Sequence, residues 1–150
     1  MGHGLAARLH GTLAAMPTRP PIDAAGFVQL VASAYPDLGA ELDEDEGLET
    51  VQMRTFCEHT QTAIDRGDIG VVVTCFDIAD RVIADGDDAM THAIHVSFLE
   101  ELDFRGSHGS AAFTKLTPAL QKGWRDINEY METLLNGEWR WKGPSNTREG

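Results

Sequence analysis

Cysteine is scarce in this chain. Cys57 and Cys75 are too few for a disulfide framework, and no Cys-x-x-Cys pair occurs, which excludes zinc ribbons and thioredoxin-like redox chemistry. Reduced thiols in a cytoplasm are the expectation, since no stretch joins a basic start, an apolar core and a small-residue cleavage site. Long apolar runs are missing as well, and none approaches the roughly 18 residues of a membrane span. Basic residues are few, with 12 Lys and Arg against 24 Asp and Glu and a formal charge of −12. Such a surface repels phosphate backbones, so nucleic acid is not expected and a basic protein or a cation is the natural partner. No Gly-x-Ser-x-Gly elbow is present, and Gly106-Ser107-His108-Gly109-Ser110 lacks both the Walker lysine and a preceding strand.

What remains is helical patterning. At 150 residues the chain fits one domain. Residues 1–20 read as a loosely attached leader, where Leu5, Leu9 and Leu13 repeat before Pro17, Pro20 and Pro21 interrupt them. Residues 21–136 read as a single all-α domain and residues 137–150 as a polar tail in which Trp139 and Trp141 pack back. Phe27, Leu30, Val31 and Ala34 predict an amphipathic helix stopping at Tyr35-Pro36. Met53, Phe56, Thr60, Ala63 and Ile64 mark a second, and Ile69, Val72, Val73, Phe76, Ala79 and Ile83 a third. The turns Asp65-Arg66-Gly67-Asp68 and Ala84-Asp85-Gly86-Asp87 each offer a glycine stop and an aspartate cap. Thr117-Pro118 opens the last helix, whose face carries Leu120, Trp124, Ile127, Tyr130, Met131 and Leu134.

The stretch from Ala89 to Asp103 is apolar nearly all round a helix, which predicts a helix wrapped by others. The expected architecture is therefore all-α, with about five antiparallel helices in a bundle or αα-hairpin stack around a central helix near 88–103. Arg105–Ser110 reads as a loop. Glu41–Glu49, with six acids in nine positions, reads as a solvated loop or a helix's first turn. It is no EF-hand: with Glu41, Asp43 and Asp45 at the first three ligand positions, Glu46 takes the place of the glycine and Gln52 that of the bidentate glutamate.

Asp88, His92 and His95 fall on one helical strip, and His59 on an earlier helix is a possible fourth metal ligand. That set defines the alternative reading, a metal-dependent helical-bundle enzyme. Against it, neither His-Glu-x-x-His nor a repeated Glu-x-x-His motif occurs. Cys57 and His59 lie on opposite sides of their helix and do not form a nucleophilic pair. Glu100 and Glu101 sit on the central helix, and one of them calls for an arginine or a backbone donor as partner, with Arg54, Arg81 and Arg125 as candidates.

The segment Ala93–Phe104, AIHVSFLEELDF, with Gly86-Asp87 ahead of it and Leu116-Thr117-Pro118-Ala119-Leu120 and Trp124 behind it, resembles an uncharacterised bacterial family of small all-helical proteins. The resemblance spans about Ile22 to Leu135, and Thr117 stands where the family pattern has leucine. Members are regarded as toxin-immunity-like, which implies a non-enzymatic inhibitor. Joined to the charge, this gives the leading expectation: an acidic module that binds another protein, a basic toxin, without cofactor or membrane. Asp43, Glu44, Asp45 and Glu46, with Asp87 and Asp88, are the expected contact residues.

Overall fold

Short-range hydrogen bonding decides where the helices begin. Asp23, Asp68, Asp87 and Thr117 each accept, through a side-chain oxygen, the backbone N–H three residues on, at Gly26, Val71, Met90 and Leu120. Each cap is worth about 1 kcal/mol to its helix. The computed structural model describes residues 20–139 and 142–144. Within them the order is α1 (Ala24–Ala34), α2 (Pro36–Glu44), α3 (Glu49–Arg66), α4 (Ile69–Asp85), α5 (Asp88–Ala93), a π-helical segment (Ile94–Leu99), α6 (Gly106–Phe113) and α7 (Pro118–Leu134). The protein is all-α. Among the described residues there is no strand, only one isolated parallel bridge, in which Ile22 N–H donates to Asp85 O and Asp87 N–H to Ile22 O.

Among the described residues seven α-helices stand where about five were expected, and the two extra ones arise from misread punctuation. Pro36 ends α1 but also occupies the first turn of α2, where a missing N–H costs nothing and a fixed φ helps. The acidic stretch is thus partly the last turn of α2, with Asp43 and Glu44 helical and Asp45 at its cap. Gly106–Phe113, expected as a loop, is helix α6. Tertiary contact outweighs its poor propensity: a Cβ on Gly109 would stand 2.8 Å from Phe104 Cα, and the His108 ring bonds Asp65 O. The two glycine turns also differ. Gly67 is left-handed (φ 73°), closing α3, whereas Gly86 is extended, and there a side chain would collide with Val82 O.

The central helix is not one helix. After α5 the backbone widens, Glu100 N–H donates five residues back to His95 O at 3.1 Å, and the chain leaves helix by Leu102. Ile94, Phe98, Leu99, Leu102 and Phe104 are all fully buried through this change of period, and Val96 stays exposed instead. The segment packs on α3, α4 and α7, so its central place holds. Two aromatic groups fill the core around it: Phe27, Phe56 and Phe98, and then Phe76, Phe104, Phe113 and Trp124, with neighbouring rings 5.2–6.3 Å apart.

The end of the domain is tied down. Phe104 N–H donates to Lys142 O at 2.6 Å, Trp139 Nε1–H to Asn128 Oδ1 at 2.7 Å, and Gly143 and Pro144 are buried. The expectations for residues 1–19 and for Trp141 lie outside the described residues.

Candidate functional site

Of the clefts beside α3, two bear on the expected site residues. The first, of about 390 Å³, lies between α3 and the π-helical segment and is lined by Arg54, Cys57, Glu58, Gln61, Val96, Ser97, Glu100 and Glu101. Its floor follows from the widened backbone. Phe98 O accepts the Cys57 thiol at 3.6 Å as well as Glu101 N–H at 3.2 Å, so the thiol helps satisfy a carbonyl displaced from the regular ladder. Burial, reinforced by Glu101 and Glu58, pushes Cys57 up to about 12, so at neutral pH it is a thiol and no nucleophile. Ser97 shares the cleft, but no histidine lines it. Cys75, fully buried and pushed up to about 11 by burial, is likewise a small core residue.

The cationic partner expected for Glu100 and Glu101 is not an arginine. Arg54 lines the same cleft without an ion pair among the described residues, Arg81 pairs with Asp85 at 3.0 Å, and Arg125 is exposed. Lys142 stands nearest to that role, its Nζ donating to the main-chain carbonyl of Glu100 at 3.3 Å, and neither carboxylate enters an ion pair among the described residues. Burial still holds the Glu100 carboxyl above the usual range, with Glu101 adding to the rise and Lys142 opposing it.

The second cleft, of about 400 Å³, lies between the start of α1 and the α2–α3 corner. One wall is Asp23, Ala24, Ala25, Val28 and Gln29, and the other is Asp43, Glu46, Gly47 and Glu49. Gln52 also lines it and is 3% exposed. Its Nε2 donates to Leu42 O at 2.9 Å. Because a carbonyl only accepts, this bond fixes the amide and leaves Oε1 as the free end. That oxygen is shut off from solvent and has no hydrogen-bond partner among the described residues. An acceptor so placed costs about 1–3 kcal/mol. Asp43, Glu46 and Glu49 are exposed, and neither they nor Asp23 enters an ion pair among the described residues. The arrangement offers acceptors of one sign beside an aliphatic wall.

The structure brings the expected acidic residues together only in part. Asp43, Glu44 and Glu46 are exposed at the corner, with Asp45 half-buried among them. Asp87 and Asp88 open α5, and Asp87 is a half-buried cap whose carboxylate is taken by Met90 N–H at 2.8 Å. The proposed metal set is dispersed. Asp88 and His92 are exposed, while His95 is half-buried, its Nδ1 against Thr91 O and its Nε2 against Gly123 of α7. His59 instead tilts over the Tyr35 ring, centroids 5.0 Å apart, beside Leu38 and Glu41. Burial lowers its pKa, with Glu41 opposing. Among the described residues no three His, Cys, Asp or Glu side chains are grouped to hold a metal ion.

Sequence reasoning missed Gln52 and the first cleft. The signal for Gln52 was present: an amide beside Met53 on the buried face of a helix otherwise apolar there. The first cleft had no such signal, since it depends on the π-helical turn.

Fold and clefts together define a small all-α domain with an exposed acidic surface at the α2–α3 corner. Residues 28–132 match a family described as a domain of unknown function, DUF7674, and the chain belongs to that family. No curated protein and no solved structure matches the chain. Among the described residues no helix is long and apolar enough to cross a membrane.

Proposed function

We propose that the protein is a non-enzymatic binding module whose acidic corner docks a basic protein, acting as an immunity- or antitoxin-like inhibitor in a bacterial cytoplasm. One observation carries the reading: Asp43, Glu44, Glu46 and Glu49 stand exposed at one corner, and none enters an ion pair among the described residues. The ion pairs that do form among the described residues, Arg81–Asp85, Arg105–Asp103 and Lys122–Asp126, all lie elsewhere. Unneutralised carboxylates gathered at a corner steer a cationic surface toward it and mimic a polyanion, an effect that falls once ionic strength shortens the screening length to about 10 Å or less. The charge repels nucleic acid itself. Asp88 extends the acidic surface at the start of α5.

The test is native mass spectrometry of the protein isolated from its own cells, repeated with two variants of equal net charge. One neutralises Asp43, Glu44, Asp45 and Glu46 as amides, and the other neutralises Asp77, Asp126, Glu129 and Glu138. A complex with one basic chain at fixed stoichiometry, lost in the first variant and kept in the second, is the expected result. Equal retention in both variants, or a bare monomer throughout, overturns the proposal.

A further inference from the structure

A cleft that receives a basic partner need not be merely acidic, and this one is built in two layers. Its rim is charged: Asp43, Glu46 and Glu49 across from Asp23. One wall is aliphatic, from Ala24, Ala25 and Val28. Gln52 is 3% exposed, and its Oε1 is an acceptor shut off from solvent and without a donor among the described residues. The Leu42 carbonyl holds Nε2, so the amide cannot turn to relieve it.

We infer that this cleft seats an arginine side chain presented by the basic partner, its methylene stem along Ala25 and Val28 and its guanidinium shared between Gln52 Oε1 and the Asp43 and Glu49 carboxylates. The inference rests on the binding function proposed above and names the group that the corner recognises. Three features select the occupant. A long side chain with an apolar stem and a charged head matches a cleft with an aliphatic wall and a charged rim. A bare metal ion does not match, because no three carboxylates converge on one point among the described residues. Guanidinium beats ammonium because its five N–H donors form a planar fork that reaches several separated acceptors at once, whereas an ammonium concentrates three donors on one atom. Asp43, Glu46 and Glu49 are exposed and free of ion pairs among the described residues, so no cation of this chain competes for them there. Gly47, left-handed at φ 87°, gives the corner a tight turn, and a Cβ placed on it would touch nothing within 4 Å.

The experiment is a titration of the isotope-labelled full chain, followed by NMR, with three blocked tripeptides: Gly-Arg-Gly, Gly-Lys-Gly and Gly-citrulline-Gly. The arginine peptide is expected to shift the Gln52 side-chain amide and the Gly47 backbone amide and to bind several-fold tighter than the lysine peptide. The citrulline peptide, which keeps the length and planarity but loses the charge and one arm of the fork, is expected to bind weakest. Gln52→Met, judged folded by its circular dichroism, is expected to bring arginine down to the lysine level. Glu49→Gln, an exposed change that keeps the core intact, is expected to weaken arginine binding several-fold, so the outcome does not hang on one variant. Equal shifts from arginine and lysine, unchanged by Gln52→Met, overturn the arginine seat and leave the acidic docking surface standing. If no cationic peptide moves any signal from residue 43 to 49 at low salt, the docking function falls with it.

Discussion

Replacing Gly39 by alanine tests whether the α1–α2 contact is as close as it is drawn. In an open helix this change stabilises by roughly 0.5–1 kcal/mol, because glycine loses more backbone freedom on folding. Here the added methyl would stand 2.6 Å from Ala32 Cα and 3.1 Å from Ala32 N. Those are backbone atoms of α1, so no rotamer change makes room and the helices must separate. Overpacking of this kind costs about 1–3 kcal/mol. The net expectation is a loss of about 1–2 kcal/mol, lowering Tm by roughly 3–8 °C. Urea unfolding monitored at the buried Trp124 reads it. Gly70→Ala is the matched control, since the nearest atom a Cβ would meet there is Asp68 Oδ1 at 3.9 Å. That variant gains a few tenths of a kcal/mol. If Gly39→Ala is stabilised as well, the close approach is wrong, and so is the spacing of the two walls of the acidic cleft, because Asp23 to Gln29 lie on or beside α1 while Asp43 ends α2.

Three further outcomes are expected. Glu100→Gln stabilises by a few tenths of a kcal/mol near neutral pH, measured by chemical unfolding. The sign follows from the raised carboxyl: the folded state holds the proton more tightly than the unfolded one, so this favourable contribution is complete below the ordinary value of about 4.5 and lost as pH rises through the folded value. The gain from Gln therefore vanishes in acid, and a gain that persists there refutes the assignment. Trp139→Phe keeps a ring but removes the donor to Asn128 Oδ1, leaving an amide oxygen on a 1%-exposed residue unpaired at a cost of about 1–3 kcal/mol in thermal unfolding. No loss would mean that this end of the chain is not held there. Iodoacetamide at neutral pH leaves Cys57 and Cys75 unmodified in the folded protein and labels both in denaturant, read by mass spectrometry; rapid native labelling would contradict the thiol pKa values of about 12 and about 11.

Much of the fold was legible where it depends on neighbours in sequence. The period from Ile69 to Ile83 gave α4, and Asp68, Asp87 and Thr117 gave three helix starts, because a cap needs only a backbone N–H three residues away. Proline and glycine were read less well, since each has two meanings. Pro36 stops one helix and starts the next with only Tyr35 between, and Gly109 weakens a helix locally while leaving room for the close approach of the Phe104 backbone. The central segment was legible as apolar on too many sides for one helix face, and helices do pack around it, but its change of period was not legible. The chain changes its own period at Ile94, which buries Phe98 and Leu99 and turns Val96 out.

The candidate site divides along the same line. The acidic corner was visible as composition, because six acids in nine positions cannot be buried unpaired. What gives it chemical direction is Gln52 Oε1, an acceptor left over because Leu42 O, ten residues earlier in the chain, claims the only donors that amide has. A sequence states that a glutamine lies among core residues but not which of its ends is satisfied. The leftover end is settled by the way α2 folds back over the start of α3. Charge alone would make this corner sticky toward any cation, and the buried oxygen is the one element that distinguishes a donor of the right shape. On the proposed reading, selectivity belongs to a tertiary contact, and a variant that keeps every carboxylate but loses Gln52 should keep its attraction to cations and lose its preference among them.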